Sequence, residues 1–164
     1  MVVKPLDNAM SNSKRQQYWR MQLHPNQPKQ ASSYAAQSLA AGFIGLDFAH
    51  DVGDLVRTTQ QALPSEHRDY WAFAHEMRVG DLVLIISHHF PFAIARVHGD
   101  YNYIREPVPE LGVWFRHFRR VTDVRYYSDL VTNAASWEQI TMTDTISPLR
   151  DPKSASWQLI ESWQ

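Results

Sequence analysis

The chain of 164 residues contains no cysteine. That absence excludes disulfides, thiol catalysis and cysteine-rich zinc sites, and it fits a reducing, cytoplasmic setting. The polar N-terminal region holds no stretch resembling a signal peptide. No run reaches the roughly 18 apolar residues of a membrane span, so no membrane partner is expected. Charge of one sign is also lacking: 16 Lys+Arg stand against 17 Asp+Glu, a formal net charge of −1. Such a balance argues against coating nucleic acid by bulk charge and leaves room for a local basic patch. The P-loop, G-x-S-x-G and H-E-x-x-H patterns are missing. His88-His89 is the only histidine pair. Adjacent strand residues point to opposite faces, so the pair makes a poor chelate. No catalytic, metal or cofactor pattern is thus legible, and no enzyme activity, metal or cofactor is expected.

What is present begins with aromatics, 12% of the chain, and with the segment Met77 to His89. There a helix ends, Gly80 offers the left-handed backbone that closes it, and Leu82 to Ile86 forms a continuous apolar run. The run is too short for a helix and reads as a strand covered on both faces, with Ser87, His88, His89 and Phe90 emerging at its end. Residues 1–16 read as a flexible leader and 17–164 as one domain, expected to be part of a longer protein. Within it, strands are predicted over 17–23, 42–48, 82–86, 92–97 and 113–127, with a loop at His24 to Pro28. Helices are predicted over 31–41, 54–63, from Ser65 as N-cap towards Met77, and 154–163, and a loop around Ser147-Pro148. Helices inserted early into a mixed sheet of five to six strands predict an α+β, barrel-like domain rather than a Rossmann layout.

Asp47 stands inside the apolar run Phe43 to Phe48. A carboxylate there either ends the strand in water or is held by a specific donor. Trp19, Phe48 and Phe90 lie at or near the ends of three strands. If these are neighbours, the rings frame a hole for a flat group, suited to stacking a base or holding a small methyl or cation. Arg105, Arg116, Arg119, Arg120 and Arg125 fall close together, with Glu106, Glu110 and Asp123 among them. They read either as a solvated, partly compensated face or as a ridge of guanidinium forks for phosphate oxygens.

Five segments in order carry a family resemblance. They are Tyr18-Trp19-Arg20-Met21 with His24-Pro25, Gly42 to Phe48 (GFIGLDF), and Phe73 to Leu84 with its Met-x-x-Gly-Asp. Ala93 to Ile104 (AIARVHGDYNYI) and Phe115 to Val121 (FRHFRRV) complete the set. Together, over about residues 17–127, they resemble the EVE and YTH branch of the PUA-like superfamily. Members of that branch often carry a tryptophan where Asp47 or Phe48 stands here. The resemblance implies a twisted, partly closed β-barrel with flanking helices. It also implies binding of a modified nucleobase in an aromatic pocket, as the recognition domain of a modification-dependent restriction system. The partners implied are DNA carrying the modified base and a nuclease or NTPase domain or subunit.

On that reading Trp19 and Phe48 stack on the base, with Phe90 beside them, while Asp47, Ser87 and His88 contact its edge. Arg20, Arg105, Arg116, Arg119 and Arg120 hold the backbone. An acidic residue suits the exocyclic amine of cytosine, so 5-methyl- or 5-hydroxymethylcytosine is preferred over N6-methyladenine. Two alternatives stay open: a single-stranded RNA-binding module reading methylated bases, and a small PUA-like hydrolase of a modified nucleoside with Asp47 or His88 as base.

Overall fold

A computed structural model describes residues 15–23, 30–87, 89–127, 140 and 144–163. Residues 1–14 of the predicted leader 1–16, the predicted loop 24–28 and His88 lie outside the described residues. In chain order the elements are β1 (Tyr18–Gln22), α1 (Ala31–Ala41), β2 (Phe43–Leu46), α2 (Arg68–His75), β3 (Leu82–Ser87) and β4 (Phe90–Val97). They are followed by β5 (Asn102–Tyr103), β6 (His117–Tyr126), β7 (Ile146–Leu149) and α3 (Ala155–Trp163). The strands form one curled, half-barrel sheet in the order β2-β6-β4-β3-β1-β7, with β5 against β6, so the domain is α+β. Among the described residues no helix is long and apolar enough to cross a membrane.

β3 is the spine. All six of its residues are buried, as its unbroken apolar run predicts. Val83 and Ile85 enter the main core with Trp19, Met21, Phe73 and Ile146. Leu82, Leu84 and Ile86 enter a second core with Tyr18, Ile94 and Ile160 under α3. Period-two alternation thus serves two cores from one strand. β1 runs parallel to β3, Trp19 opposite Val83, and every other pairing is antiparallel. Parallel neighbours need a long crossover, here the whole segment holding α1, β2 and α2.

The Met-x-x-Gly-Asp turn has a structural task. Gly80 adopts φ +96° and donates its N–H to the Val97 carbonyl at 2.8 Å. The carboxylate of Asp81, 3% exposed, accepts from three donors: the Gln17 backbone N–H at 3.0 Å, the Arg78 backbone N–H at 2.9 Å and the Trp19 indole N–H at 3.0 Å. A buried charge with this many donors is satisfied where a bare one would not be. It pins β1 to the start of β3.

Three local expectations are corrected. The helix predicted over 54–63 is two 3₁₀ turns, Leu55–Arg57 and Gln60–Ala62. The Asp54 carboxylate accepts from the Val56 N–H, and extended backbone at Thr58 and Thr59 interrupts any longer helix. Ser65 does not cap α2: it opens a 3₁₀ turn and its hydroxyl donates to Glu66 at 3.3 Å. The loop predicted at Ser147-Pro148 is strand β7, paired with β1. β7 is an edge strand, where a proline's missing donor is tolerated.

β6 carries a bulge. Ile94 and Arg96 of β4, two residues apart, face Arg125 and Thr122 of β6, three apart. Asp123, at φ +51°, is in the left-handed region at this place. Bulges bend a strand and raise its twist, so one long strand can serve both β4 and the β2–β5 end of the sheet.

Candidate functional site

β2 ends at Leu46, and the chain continues through half-buried Asp47 and Phe48, which is buried at the edge of the main core. A cavity of about 260 Å³ lies there. Gly45, Asp47 and Phe48 line it from this stretch, His67 and Tyr70 from the start of α2, and Trp114 and Phe115 from the segment before β6. Gln22 at the end of β1 and Thr145 before β7 add polar groups. The curl of the sheet brings Gln22 to the same cavity as β2, although β1 and β2 are not neighbours in the strand order.

The rings are held by one another. Phe48 and Tyr70 have centroids 4.7 Å apart, His67 and Tyr70 4.7 Å, and Phe48 meets His67 edge-on at 5.2 Å. Trp114 packs edge-to-face on Tyr34 of α1 at 4.2 Å. Offset and edge contacts of this kind contribute about 0.5–1.5 kcal/mol each beyond burial. The Tyr70 hydroxyl donates to Thr145 Oγ1 at 2.6 Å, and burial raises its pKa, so it is a neutral hydrogen-bonding group.

Asp47 is anchored at the cavity wall. Arg116 Nη1 donates to both carboxylate oxygens, at 2.9 and 3.0 Å, and the Phe48 N–H donates to Oδ1 at 2.8 Å. The ion pair raises the pKa of the half-buried Arg116 guanidinium. Arg116 Nε also donates to the Arg105 carbonyl at 3.1 Å. A carboxylate offers about four lone-pair sites, and these contacts use three of them. Acceptor capacity remains on Oδ2.

Behind Phe48 lies a second aromatic group. His117 is fully buried, meets Phe48 edge-on at 5.4 Å, and shares a 2.7 Å hydrogen bond between its Nδ1 and the Tyr101 hydroxyl. Burial lowers the pKa of His117 to about 4, so the ring is neutral near pH 7. Burial likewise raises that of Tyr101, whose hydroxyl accepts the Leu55 N–H at 3.0 Å. Half-buried Tyr103 donates to both oxygens of Asp51, at 2.8 and 2.7 Å, which lowers the Asp51 pKa.

The candidates read from the sequence separate into groups. Asp47 and Phe48 line the cavity. Trp19 does not: it is wholly buried in the main core with its indole N–H on Asp81. The three strand ends do not converge, because Trp19 is the second of the five residues of β1 and faces inward. Ser87 is buried with its hydroxyl 2.8 Å from that of Ser32, and Phe90 sits opposite it across the β3–β4 hairpin. Neither lines the cavity.

The arginines also divide. Arg119 is 3% exposed, and its guanidinium donates to the carbonyls of Phe73, Ala74, Met77 and Gly99 at 2.9–3.2 Å. It satisfies the orphan carbonyls at the end of α2 and has no face left for a phosphate. Arg20, half-buried, shares the α3 side of β1 with Tyr18, away from the cavity. Arg125 donates to the Trp163 carbonyl at 2.7 Å, at the end of α3. Arg105 and Arg120 are exposed. The side-chain position of Gly45 is taken by the Phe115 ring, which a Cβ there would overlap.

Tyr70, His67, Trp114, Gln22 and Thr145 were not singled out from the sequence. Tyr70 is indistinguishable from a core residue on the apolar face of α2. Trp114 falls inside the strand predicted over 113–127, but β6 begins only at His117 and leaves Trp114 in the segment before it, just past the positive-φ turn at Gly112.

Fold and cavity together define a small α+β domain with an aromatic-walled cavity. Residues 19–150 match a family described as a domain of unknown function (DUF8426), and the chain belongs to that family. No curated protein matches the sequence.

Proposed function

We propose that this domain binds a modified base of DNA in the aromatic cavity, as the specificity domain of a modification-dependent restriction system whose nuclease or NTPase activity lies on another domain or subunit. The observation that carries the proposal is the cavity: about 260 Å³, walled by Phe48, His67, Tyr70 and Trp114, with an anchored carboxylate at its edge. Cavities that are mostly aromatic with a few fixed polar groups suit flat, partly polar ligands. The curled α+β sheet is compatible with a barrel-like fold, and we assign it to the PUA-like class on the sequence resemblance.

In this reading a nucleotide leaves the stack at a cost of a few kcal/mol, and stacking on the cavity rings returns about 1–3 kcal/mol. Asp47 Oδ2 accepts from the exocyclic amine, which favours 5-methyl- or 5-hydroxymethylcytosine. Arg105 and Arg120 take the phosphate contacts, and Arg116 serves by orienting Asp47.

The test is a binding panel of DNA and RNA oligonucleotides with and without 5-methylcytosine, 5-hydroxymethylcytosine or N6-methyladenine. Trp114→Ala and Tyr70→Leu are each expected to weaken binding of the modified DNA by about 1–3 kcal/mol and to change binding of the unmodified DNA little. Equal affinity of the parent for all members would overturn the proposal. Conversion of a modified nucleoside to product would replace it with the hydrolase.

A further inference from the structure

We propose that the outer face of β2 and β6 is a stacking track for single-stranded DNA, carrying the nucleotides next to the bound base. The inference rests on the reading of the cavity given above.

Along β6, His117, Arg119 and Val121 are buried, while Phe118 is half-buried and Arg120 exposed. Strand alternation therefore sets Phe118 and Arg120 together on the other face. Residues opposite each other in an antiparallel pair share a face. Phe118 lies opposite Gly45, and Arg120 opposite Phe43. The result is a compact platform: the rings of Phe43 and Phe118 meet edge-on with centroids 5.6 Å apart, and the Arg120 guanidinium lies 5.3 Å from the Phe43 centroid. Base stacking on rings is tolerant of sequence. A guanidinium plane also stacks on a base and carries a charge for the neighbouring phosphate.

The platform adjoins the cavity. Gly45, directly opposite Phe118, is a cavity-lining residue, and so is Asp47 two residues on. Two residues along a strand span about 7 Å, so a strand leaving the cavity reaches the platform in one step. The charge suits a polyanion. Asp47 is neutralised by Arg116, and among the described residues neither Arg105 nor Arg120 has a carboxylate at ion-pair distance. Glu106 follows Arg105 in sequence, Asp123 lies three residues beyond Arg120, and Asp100 follows Gly99, whose N–H donates to the Arg120 carbonyl at 3.2 Å. A duplex hides the faces of its bases and offers only groove edges and phosphates. Rings on a sheet face are useful only to unstacked bases.

The experiment measures binding by fluorescence anisotropy at low salt. The probes are unmodified single-stranded DNA of about twelve nucleotides, the same strand with one modified base, the matched duplexes and the RNA equivalents. The parent is compared with Phe118→Leu, which keeps apolar packing and removes the ring, and with Arg120→Gln at an exposed position. The parent is expected to bind the unmodified single strand more tightly than the duplex. Phe118→Leu should weaken single-strand binding about tenfold, with or without the modification. Arg120→Gln should weaken it and lower the salt slope by about one, which keeps the test decisive if Phe118→Leu does not fold.

Tighter binding of the duplex or of RNA, or parent-like binding by both variants, would overturn the track. The cavity reading fails separately: a parent that binds single strands without regard to modification, yet is weakened by Phe118→Leu, keeps the track and loses the modified-base pocket.

Discussion

Arg116 Nη1 grips both oxygens of Asp47, at 2.9 and 3.0 Å, where the chain leaves β2. The contact turns a residue that could have ended a strand in water into a fixed acceptor at a cavity wall. It also removes Arg116 from the phosphate ridge, since its charge is already matched.

Asp47→Asn keeps the volume and exchanges an acceptor for a mixed donor and acceptor. Discrimination for the target base is expected to fall by about 1–3 kcal/mol, with a smaller loss in binding of unmodified DNA. Competition binding across the modified-base panel measures this. An Asn variant that behaves as the parent on every oligonucleotide would remove Asp47 from the site.

Trp19→Ala is expected to destabilise the fold by about 3–5 kcal/mol, the cost of emptying a large core position. It also strips Asp81 of one of its three donors. Urea denaturation reads the loss. Folded Trp19→Phe should bind DNA as the parent does, because the side chain is fully buried.

Arg119 and Arg120 are adjacent and should respond in opposite ways. Arg119→Ala leaves several carbonyls near the end of α2 without donors, so about 3 kcal/mol or more of stability is expected to be lost. Arg120→Ala, at an exposed position, should leave the thermal midpoint nearly unchanged and reduce the salt slope of DNA binding by about one. Equal effects of the two on stability would contradict the separation.

His117 makes stability fall with acid. Its pKa is lowered from 6.5 to about 4 in the folded protein, so below pH 6.5 the unfolded chain takes up a proton that the native core resists. The contribution is fully present above pH 6.5 and is lost as the pH falls towards 4, amounting to about 3 kcal/mol. Unfolding free energies between pH 7.5 and 4.5 should show this slope in the parent and a shallower one in His117→Gln. An identical slope in the two would show that other groups carry the acid response.

The linear pattern was a sound guide wherever the physics is local. The apolar run Leu82 to Ile86, the Ala-rich helix at 31–41 and the Gly80 turn declare themselves through period, propensity and backbone freedom. The strand and the Ala-rich helix are present as read; Gly80 takes the left-handed backbone expected of it, but α2 already ends at His75 and the glycine closes a separate turn before β3. The absence of cysteine also settled at once that no disulfide supports the fold.

The functional assignments were different, because they depend on which faces meet. An aromatic on a strand reads alike whether it packs inward or lines a cavity. Trp19 became core because Asp81, 62 residues away, supplies a buried acceptor for its indole N–H. Arg119 became a cap on α2 because alternation along β6 turns it inward, while its neighbour Arg120 turns out. The cavity itself draws on β1, β2, α2 and the segments before β6 and β7. Its walls come together only through the curl of the sheet, a long-range outcome of strand pairing, bulges and twist that no local period encodes.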